Sequence, residues 1–215
     1  SDTNFSMDLG YQVADADGDF DTGTVTVGLD PDQTITGTAG ADVLLGGSGS
    51  DTITGGAGDD VIRGHGGADA LNGGDGNDVL IGGRGADTLM GGLGADTFRW
   101  ELADAGPAGS PVTDTIQDFD SVAGSDKLDL RDLLVGETPA NLANFLHFEL
   151  SGGNTVVHVS TSGGFSGDSQ SVGASYTAVA GDQRIVLSGV NLIGSYTSDA
   201  QVISDLISKG KLTSD

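Results

Sequence analysis

A large apolar residue stands at every ninth position between residues 44 and 98, and the segments between these residues are rich in glycine and small polar residues. The apolar residues are Leu44, Ile53, Ile62, Leu71, Leu80, Leu89 and Phe98. Each is the middle residue of a segment that we expect to form a short strand with one inward-facing side chain. The connections are glycine-rich because tight turns require positive φ angles, which glycine adopts without strain.

An aspartate precedes each of these apolar residues by two positions, so seven aspartates share the same period. They are Asp42, Asp51, Asp60, Asp69, Asp78, Asp87 and Asp96. The clearest unit is GGDGNDVLI, residues 73–81. It resembles the repeat-in-toxin (RTX) nonapeptide G-G-x-G-x-D-x-U-x, in which U is a large apolar residue. A disordered glycine-rich linker would not keep aspartate and leucine in phase over seven units.

The resemblance implies a mainly β protein in which residues 36–99 form a parallel β-roll. Two units make one coil with strands on two faces and loops on two edges, so loops two units apart stack on each other. The aspartates then fall into two ladders, Asp42–Asp60–Asp78–Asp96 and Asp51–Asp69–Asp87.

The same resemblance implies that stacked loops bind calcium, a hard cation that takes about six to eight oxygen ligands. The earlier loop would supply its second and fourth carbonyls and its aspartate, and the later loop its first and third carbonyls and its aspartate. One site would use Gly56, Gly58, Asp60, Gly73, the carbonyl of Asp75, and Asp78. The candidate glycines across the array are Gly47, Gly49, Gly55, Gly56, Gly58, Gly64, Gly67, Gly73, Gly74, Gly76, Gly82 and Gly91. Stacks of four and three loops imply about five calcium ions.

Two units depart from the pattern at the second loop position, where Thr38 and His65 replace glycine. Because calcium prefers oxygen, we expect the backbone carbonyl of His65, rather than its imidazole, to serve as a ligand. The site that contains Thr38 is expected to be weaker.

The charge of the chain favours a divalent cation as its partner. The net charge is −24, and 29 aspartates stand against three glutamates. Aspartate favours turns and caps, so most of this charge is expected in loops. Eight lysines and arginines do not provide the basic face that nucleic acids require. Packed carboxylates repel one another unless a cation neutralises them.

Calcium is also expected to drive folding. The core has one large apolar residue per nine positions, and without cysteine the chain has no disulfides. Calcium at about ten times its dissociation constant adds roughly 1.4 kcal/mol per site. About five sites would add roughly 7 kcal/mol, which is comparable with the net stability of a whole domain.

Residues 1–35 resemble the final strands of the immunoglobulin-like repeats in large bacterial adhesins. Tyr11–Val13 and Thr24–Val27 alternate in the manner of strands. Between them, Asp15, Asp17 and Asp19 repeat the beginning of an EF-hand loop, although the glycine is misplaced and the closing glutamate is missing. An acidic hairpin turn is an equal alternative.

Residues 100–215 are expected to form a β-rich capping region with one or two short helices. The expected elements are strands at Asp114–Phe119, Lys127–Leu130, Thr155–Ser160 and Arg184–Leu187, helices at Pro139–Phe145 and Asp199–Ser208, and a glycine- and serine-rich loop at Ser162–Asp182. Asp199 is the expected N-cap of the last helix.

The segments DTIQDF and DKLDL, residues 114–119 and 126–130, resemble the region that follows the roll in secreted RTX proteins. The acidic residues there help to close the last calcium site and to cap the roll. Asp114, Asp118 and Asp126 are therefore additional metal candidates. Surface acids on capping strands are an equal alternative.

Residues 36–215 together resemble the C-terminal end of giant biofilm adhesins exported by type I secretion. The segments that carry the resemblance after the roll are NLANFLHFEL, NTVVHVS, QRIVLSGVNL and DAQVISDLISKGKLTSD. It implies export, C-terminus first, through an ABC transporter complex, and a location outside a Gram-negative cell or on its surface. No apolar segment of membrane-spanning length and no N-terminal signal peptide is visible, so direct membrane insertion is not expected. We expect a monomer.

Two other functions stay open. The chain would be a sugar- or surface-binding tip module if the residues that follow the repeat aspartates formed a regular threonine row, but Ala70 interrupts that row. It would otherwise be the tail of a secreted hydrolase. We expect no catalytic site in the chain itself, because H-E-x-x-H, G-x-S-x-G and cysteine are all missing from the sequence.

Overall fold

The computed structural model describes residues 6–14, 20–28, 32–106, 111–120, 125–138, 140–165 and 182–214. The chain forms two compact units, Ser1–Phe98 and Arg99–Asp215. Each unit is built mainly of β-strands, as the repeat pattern predicts.

The first unit is a parallel β-roll preceded by an antiparallel hairpin. The hairpin strands are β1 (Ser6–Ala14) and β2 (Phe20–Gly28). The roll strands are β3 (Thr34–Thr36), β4 (Val43–Leu45), β5 (Thr52–Ala57), β6 (Val61–Gly66), β7 (Ala70–Asp75), β8 (Val79–Arg84), β9 (Thr88–Leu93) and the beginning of β10 (Thr97–Glu101). From β4 onward each strand pairs in parallel with the strand two before it, so odd- and even-numbered strands form separate sheets.

The registers stack equivalent apolar residues directly on one another. In one sheet Ile53 lies opposite Ile35 and Leu71, and in the other Ile62 lies opposite Leu44 and Leu80. All of these side chains are buried. The structure therefore confirms the predicted parallel roll and its two-unit coil.

The roll begins earlier than the aspartate pattern indicates. Strand β3 pairs with β5, and Gln33 stands at the position that an aspartate occupies in the other units. Gln33 is buried, and its backbone N–H donates to Asp51 Oδ1 at 2.6 Å. The expected start at residue 36 missed this turn because glutamine breaks the aspartate period.

Several roll strands are also longer than the three residues expected. Strands β5 to β9 continue into the first half of each glycine-rich loop, as in Val61–Gly66. The reason is that stacked loops form parallel hydrogen bonds with one another. For example, the Gly58 N–H donates to the Asp75 carbonyl at 2.8 Å.

The N-terminal hairpin is continuous with one sheet of the roll. Ala14 lies opposite Phe20 in the antiparallel pair, and β2 then pairs in parallel with β4. Asp15, Asp17 and Asp19 lie outside the described residues. The assignment of residues 1–35 to an immunoglobulin-like repeat stays a prediction.

The second unit contains a mixed sheet, a parallel strand pair and one described α-helix. Its elements are β11 (Val112–Ile116), β12 (Lys127–Asp132), β13 (Leu146–Ser151), β14 (Asn154–Ser160), β15 (Asp182–Leu187), α1 (Asp199–Ser208) and β16 (Leu212–Thr213), with 3-10 turns at Leu102–Asp104 and Leu142–Asn144. Strands β13, β14 and β15 are antiparallel, and β11 joins β15 in parallel. Strand β12 pairs with β16 in parallel.

Helix α1 has the predicted bounds, but the predicted cap is wrong. Ser198 is the N-cap residue, and Asp199 is already helical. The buried Asp199 carboxylate instead accepts hydrogen bonds from His147 Nδ1 at 2.8 Å and from the Phe148 N–H at 2.9 Å. It therefore fastens the helix to strand β13 rather than satisfying the helix's own first turn. Within the described residues, no helix has the length and hydropathy to cross a bilayer.

Three further expectations need correction. Of the helix expected at Pro139–Phe145, the described part is a single 3-10 turn at Leu142–Asn144. The strand expected at Asp114–Phe119 ends at Ile116. Strand β13 was not predicted, although its sequence LHFELS alternates apolar and polar residues.

Candidate metal centre

The repeat aspartates form two ladders of buried side chains along the edges of the roll. In every repeat aspartate from Asp51 onward, one carboxylate oxygen, Oδ1, accepts a hydrogen bond from the backbone N–H one coil earlier. The distance from the backbone nitrogen to Oδ1 is 2.8 Å for Asp42 and Asp60, 2.8 Å for Asp60 and Asp78, and 2.9 Å for Asp78 and Asp96, with the donor named first. In the second ladder it is 2.7 Å for Asp51 and Asp69 and 2.9 Å for Asp69 and Asp87.

The second oxygen is different. Oδ2 of Asp60, Asp69 and Asp78 is buried and has no hydrogen-bond partner among the described residues. An unpaired buried carboxylate oxygen is costly, because burial removes its hydration and nothing replaces it. A proton or a bound cation would therefore stabilise these three oxygens.

The pKa values of the same carboxyls show this cost. Burial raises the pKa of Asp60, Asp69 and Asp78 from 3.8 to about 6, against the lowering effect of the backbone hydrogen bond that each accepts. The charge of the ladder neighbour one coil earlier raises each pKa further. The ladders thus hold negative charge where it is unfavourable without a cation.

The glycine at the first loop position leaves room at the free oxygen. A Cβ atom on Gly55 would collide with both Asp60 Oδ2 and the carbonyl oxygen of Gly73 in the next stacked loop. Gly64 stands in the same relation to Asp69 and Gly82. A carboxylate oxygen and a carbonyl oxygen therefore converge on a space that a side chain would fill. Hard oxygen donors of this kind suit calcium.

The second and fourth loop positions turn the backbone so that carbonyls face the next loop. Gly56 and Gly58 have φ angles of 120° and 104°. Their carbonyl oxygens lie against Gly74 and Gly76, where a Cβ atom would collide with them. The structure thus places the Gly73 carbonyl beside Asp60, and the Gly56 and Gly58 carbonyls against the stacked loop. Calcium ligation by this set stays a prediction.

The two exceptional residues behave differently from each other. His65 has a φ of 79°, the only positive value among described non-glycine residues, and its carbonyl faces Gly83 of the next loop. This orientation agrees with a role for the carbonyl rather than the imidazole. Asp42 Oδ2 accepts hydrogen bonds from the Thr38 N–H at 2.5 Å and the Thr38 Oγ1 at 2.9 Å. The threonine hydroxyl therefore satisfies an oxygen that would otherwise be free for a cation.

The remaining candidates fall into two groups. Gly47 donates its N–H to Asp51 Oδ2 at 2.7 Å, and Gly49 faces Gly67 of the stacked loop. At Gly82 and Gly91 an added Cβ atom would meet the side chains of Asp87 and Asp96, respectively. All of these residues lie at the two loop edges, as the repeat phase predicts.

Asp114 and Asp126 are not the surface acids of the alternative interpretation, whereas Asp118 agrees with it. Asp114 is fully buried and accepts hydrogen bonds from Trp100 Nε1 and Gln183 Nε2, each at 2.7 Å. Asp126 is buried and accepts a hydrogen bond from the Asp120 N–H at 2.7 Å. Both carboxylates thus have protein partners. Asp118 is exposed.

No group of three or more histidine, aspartate or glutamate side chains suited to a metal ion occurs in the described ranges. The physical reason lies in the repeat. Each pair of stacked loops places only two carboxylates together, and the other oxygens belong to the backbone. A site of this kind is recognised from carbonyl directions and not from clustered side chains.

The comparison with known families decides the identity of the repeats. The model of the RTX calcium-binding nonapeptide repeat, which spans four copies, matches residues 36–71 and again residues 63–98. Residues 36–98 carry RTX calcium-binding nonapeptide repeats. Such repeats are typically extracellular. No curated protein sequence matches this chain significantly.

Solved structures similar to the chain include two subunits of the Azotobacter vinelandii mannuronan C5-epimerase. The AlgE6R3 subunit is 27% identical with a TM-score of 0.41, over 75% of this chain and 74% of its own. The AlgE6R2 subunit is 26% identical with a TM-score of 0.48, over 85% of this chain and 91% of its own.

The space beside Gly55, between Asp60 Oδ2 and the Gly73 carbonyl, is here called the cradle, and it yields a prediction with a matched control. Gly55→Ala is expected to weaken calcium-induced folding of the RTX roll, because the new methyl group fills the space between Asp60 Oδ2 and the Gly73 carbonyl. Gly66→Ala is the control, since its Cβ atom would meet only the Arg84 carbonyl at 3.9 Å. The measurement is the calcium midpoint in far-UV circular dichroism. Equal midpoints for the two variants would contradict the role of the cradle.

The raised pKa values predict a reversal of pH dependence. In excess chelator, protonation of Asp60, Asp69 and Asp78 favours the folded roll, so stability is highest at acid pH and is lost as pH rises through about 6. In calcium the sign is opposite, because protons compete with the ion for the same oxygens. Circular dichroism from pH 7 to pH 5 measures both. A chelated roll that loses structure on acidification would count against this account.

Proposed function

We propose that the RTX roll binds calcium between stacked loops and that calcium is the trigger for its folding. The observation that carries the proposal is the pairing of a partnerless buried oxygen, Asp60 Oδ2, with the facing carbonyl of Gly73. The same arrangement recurs at Asp69 with Gly82 and at Asp78 with Gly91. One site for each pair of stacked loops gives about five ions in the array, with weaker sites at Asp42 and Asp51, where Oδ2 already accepts a hydrogen bond from the protein.

Folding and binding are coupled in this arrangement. The oxygens of one site belong to two loops whose equivalent residues are eighteen positions apart, so no site exists until two coils have stacked. Stacking without a cation leaves the buried carboxylates charged and next to one another. A ligand that binds only the folded state stabilises it according to its concentration above the dissociation constant. Millimolar extracellular calcium then favours the roll, whereas the calcium-poor cytosol does not.

The wider role that we propose is the C-terminal module of a secreted adhesin. The segments after the roll resemble those of biofilm adhesins that a type I ABC transporter complex exports with the C-terminus first. A roll that stays unfolded in the cytosol suits passage through a narrow channel, and folding outside would hinder return. In this role the module is not catalytic, and it acts at the surface of a Gram-negative bacterium.

The proposal predicts that the chain gains β-structure on addition of calcium and loses it in chelator. Asp78→Asn should raise the calcium midpoint and remove about one ion from the bound total, because Asp78 contributes to a site between stacked loops. Circular dichroism measures the folding, and isothermal titration calorimetry counts the ions.

Asp59→Asn is the matched control for this experiment. It removes the same charge from an exposed neighbour whose carboxylate accepts the Asn77 N–H at 2.7 Å outside the ladder. A roll that is already folded in excess chelator at neutral pH would overturn the proposed trigger.

The export role has its own test. When the chain is expressed in a bacterium together with a type I exporter, removal of residues 199–215 should abolish its accumulation in the medium. Asp60→Asn should leave export intact, because the exported chain is unfolded and needs no calcium site inside the cell. Equal export with and without residues 199–215 would remove the support for type I secretion.

A further inference from the structure

Lys211 is the only lysine or arginine among the described residues whose side chain is fully buried. It stands between helix α1 and strand β16, and its backbone is fixed on both sides. Its N–H donates to the Leu206 carbonyl and its own carbonyl accepts the Leu128 N–H, each at 2.8 Å. The position of this side chain is therefore determined by the fold of the C-terminal unit.

The Lys211 ammonium points into a turn that the sequence marks as acidic. We call Asp120, Ser125 and Asp126 the acidic turn. Lys211 Nζ donates to the Asp120 carbonyl at 2.9 Å and to Ser125 Oγ at 2.5 Å, and it lies 5.9 Å from the centre of the Phe119 ring. Asp126 Oδ2 accepts the Asp120 N–H at 2.7 Å, which holds Asp126 next to Asp120.

The surroundings of Nζ are the kind that a hard cation would have. A carbonyl oxygen, a hydroxyl oxygen and nearby carboxylates are the ligand types that calcium takes in proteins. Burial lowers the pKa of Lys211, while the charges of Asp126 and Asp120 raise it. A buried ammonium is unfavourable unless such partners compensate for its lost hydration. The oxygens of the acidic turn thus stabilise the buried ammonium, and the ammonium in turn neutralises the nearby carboxylates.

We infer that Lys211 is a built-in cation, which takes the place of a calcium ion at the acidic turn and closes the C-terminal unit without metal. Asp126, which the sequence suggests as a ligand of the last calcium ion, then serves an ammonium instead. The contrast with the calcium-dependent roll rests on the proposed function. One chain would accordingly contain a roll that needs calcium to fold and a C-terminal unit that folds without it.

The single tryptophan of the chain makes the inference testable in the full protein. Trp100 belongs to the C-terminal unit and is buried, so its fluorescence reports on that unit. Far-UV circular dichroism reports on both units, so a loss of dichroism in chelator at unchanged Trp100 fluorescence is assigned to the roll. In excess chelator, the wild-type chain should lose roll structure while Trp100 stays buried. A failure of the proposed function would show in the dichroism, and a failure of this inference would show in the fluorescence.

Lys211→Met is the decisive variant, and Lys209→Met is its control, because Lys209 pairs with Asp205 at the surface. In chelator, Lys211→Met should lower the folding equilibrium constant reported by Trp100 in urea by about a hundredfold or more, and Lys209→Met should change it little. Calcium should restore part of the loss in Lys211→Met, because the oxygens of the acidic turn become available to the ion.

A double variant separates charge pairing from simple loss of packing. If Lys211 neutralises the acidic turn, adding Asp126→Asn to Lys211→Met should recover much of the stability, and this variant should fold even if the single variant does not. An equal loss from Lys211→Met in the Asp126 and Asn backgrounds would overturn the inference. So would a wild-type Trp100 that becomes exposed in chelator together with the roll.

Discussion

The structure of the roll depends on how buried carboxylates are neutralised. From Asp51 onward, each repeat aspartate uses one oxygen to hold the coil before it, through the backbone N–H eighteen residues earlier. For Asp60, Asp69 and Asp78, the other oxygen has no partner among the described residues. The hydrogen bond to Oδ1 joins the coils, whereas burial of the unpartnered Oδ2 destabilises them. We therefore propose that coil stacking and cation binding occur together. The apolar core of the roll is thin, with one large buried side chain in most strands.

Much of this arrangement is predictable from the sequence because the period itself encodes it. A fixed interval of nine places Ile53 and Leu71 in register and sorts the aspartates into two ladders. A residue that breaks the period is not recognised from the sequence. Because Gln33 replaces the aspartate, the pattern does not predict the first turn of the roll. Asp199 was assigned to a helix cap because local patterns suggest local partners, whereas its partner His147 lies 52 residues away. Long-range hydrogen bonds of this kind leave no signal in the spacing of residues.

The two units address the same electrostatic problem in different ways. In the roll, carboxylate and carbonyl oxygens face each other between coils, and the cation comes from solution. In the C-terminal unit, Lys211 supplies a positive charge that is part of the chain, and Asp114 is satisfied by neutral donors from Trp100 and Gln183. With the two proposals above, such a module would respond to external calcium in one part only. That division would suit the export that we propose, in which the chain leaves the cell unfolded and folds where calcium is abundant.

The most direct test of the central claim is a crystal structure of the chain grown in calcium, with the ions located by their anomalous scattering. The account predicts an ion bound to Asp60 Oδ2 and the Gly73 carbonyl oxygen at about 2.3–2.6 Å from each, with equivalent ions along both ladders. A calcium-grown roll in which Asp60 Oδ2 contacts no ion and is hydrogen-bonded to protein instead would contradict it.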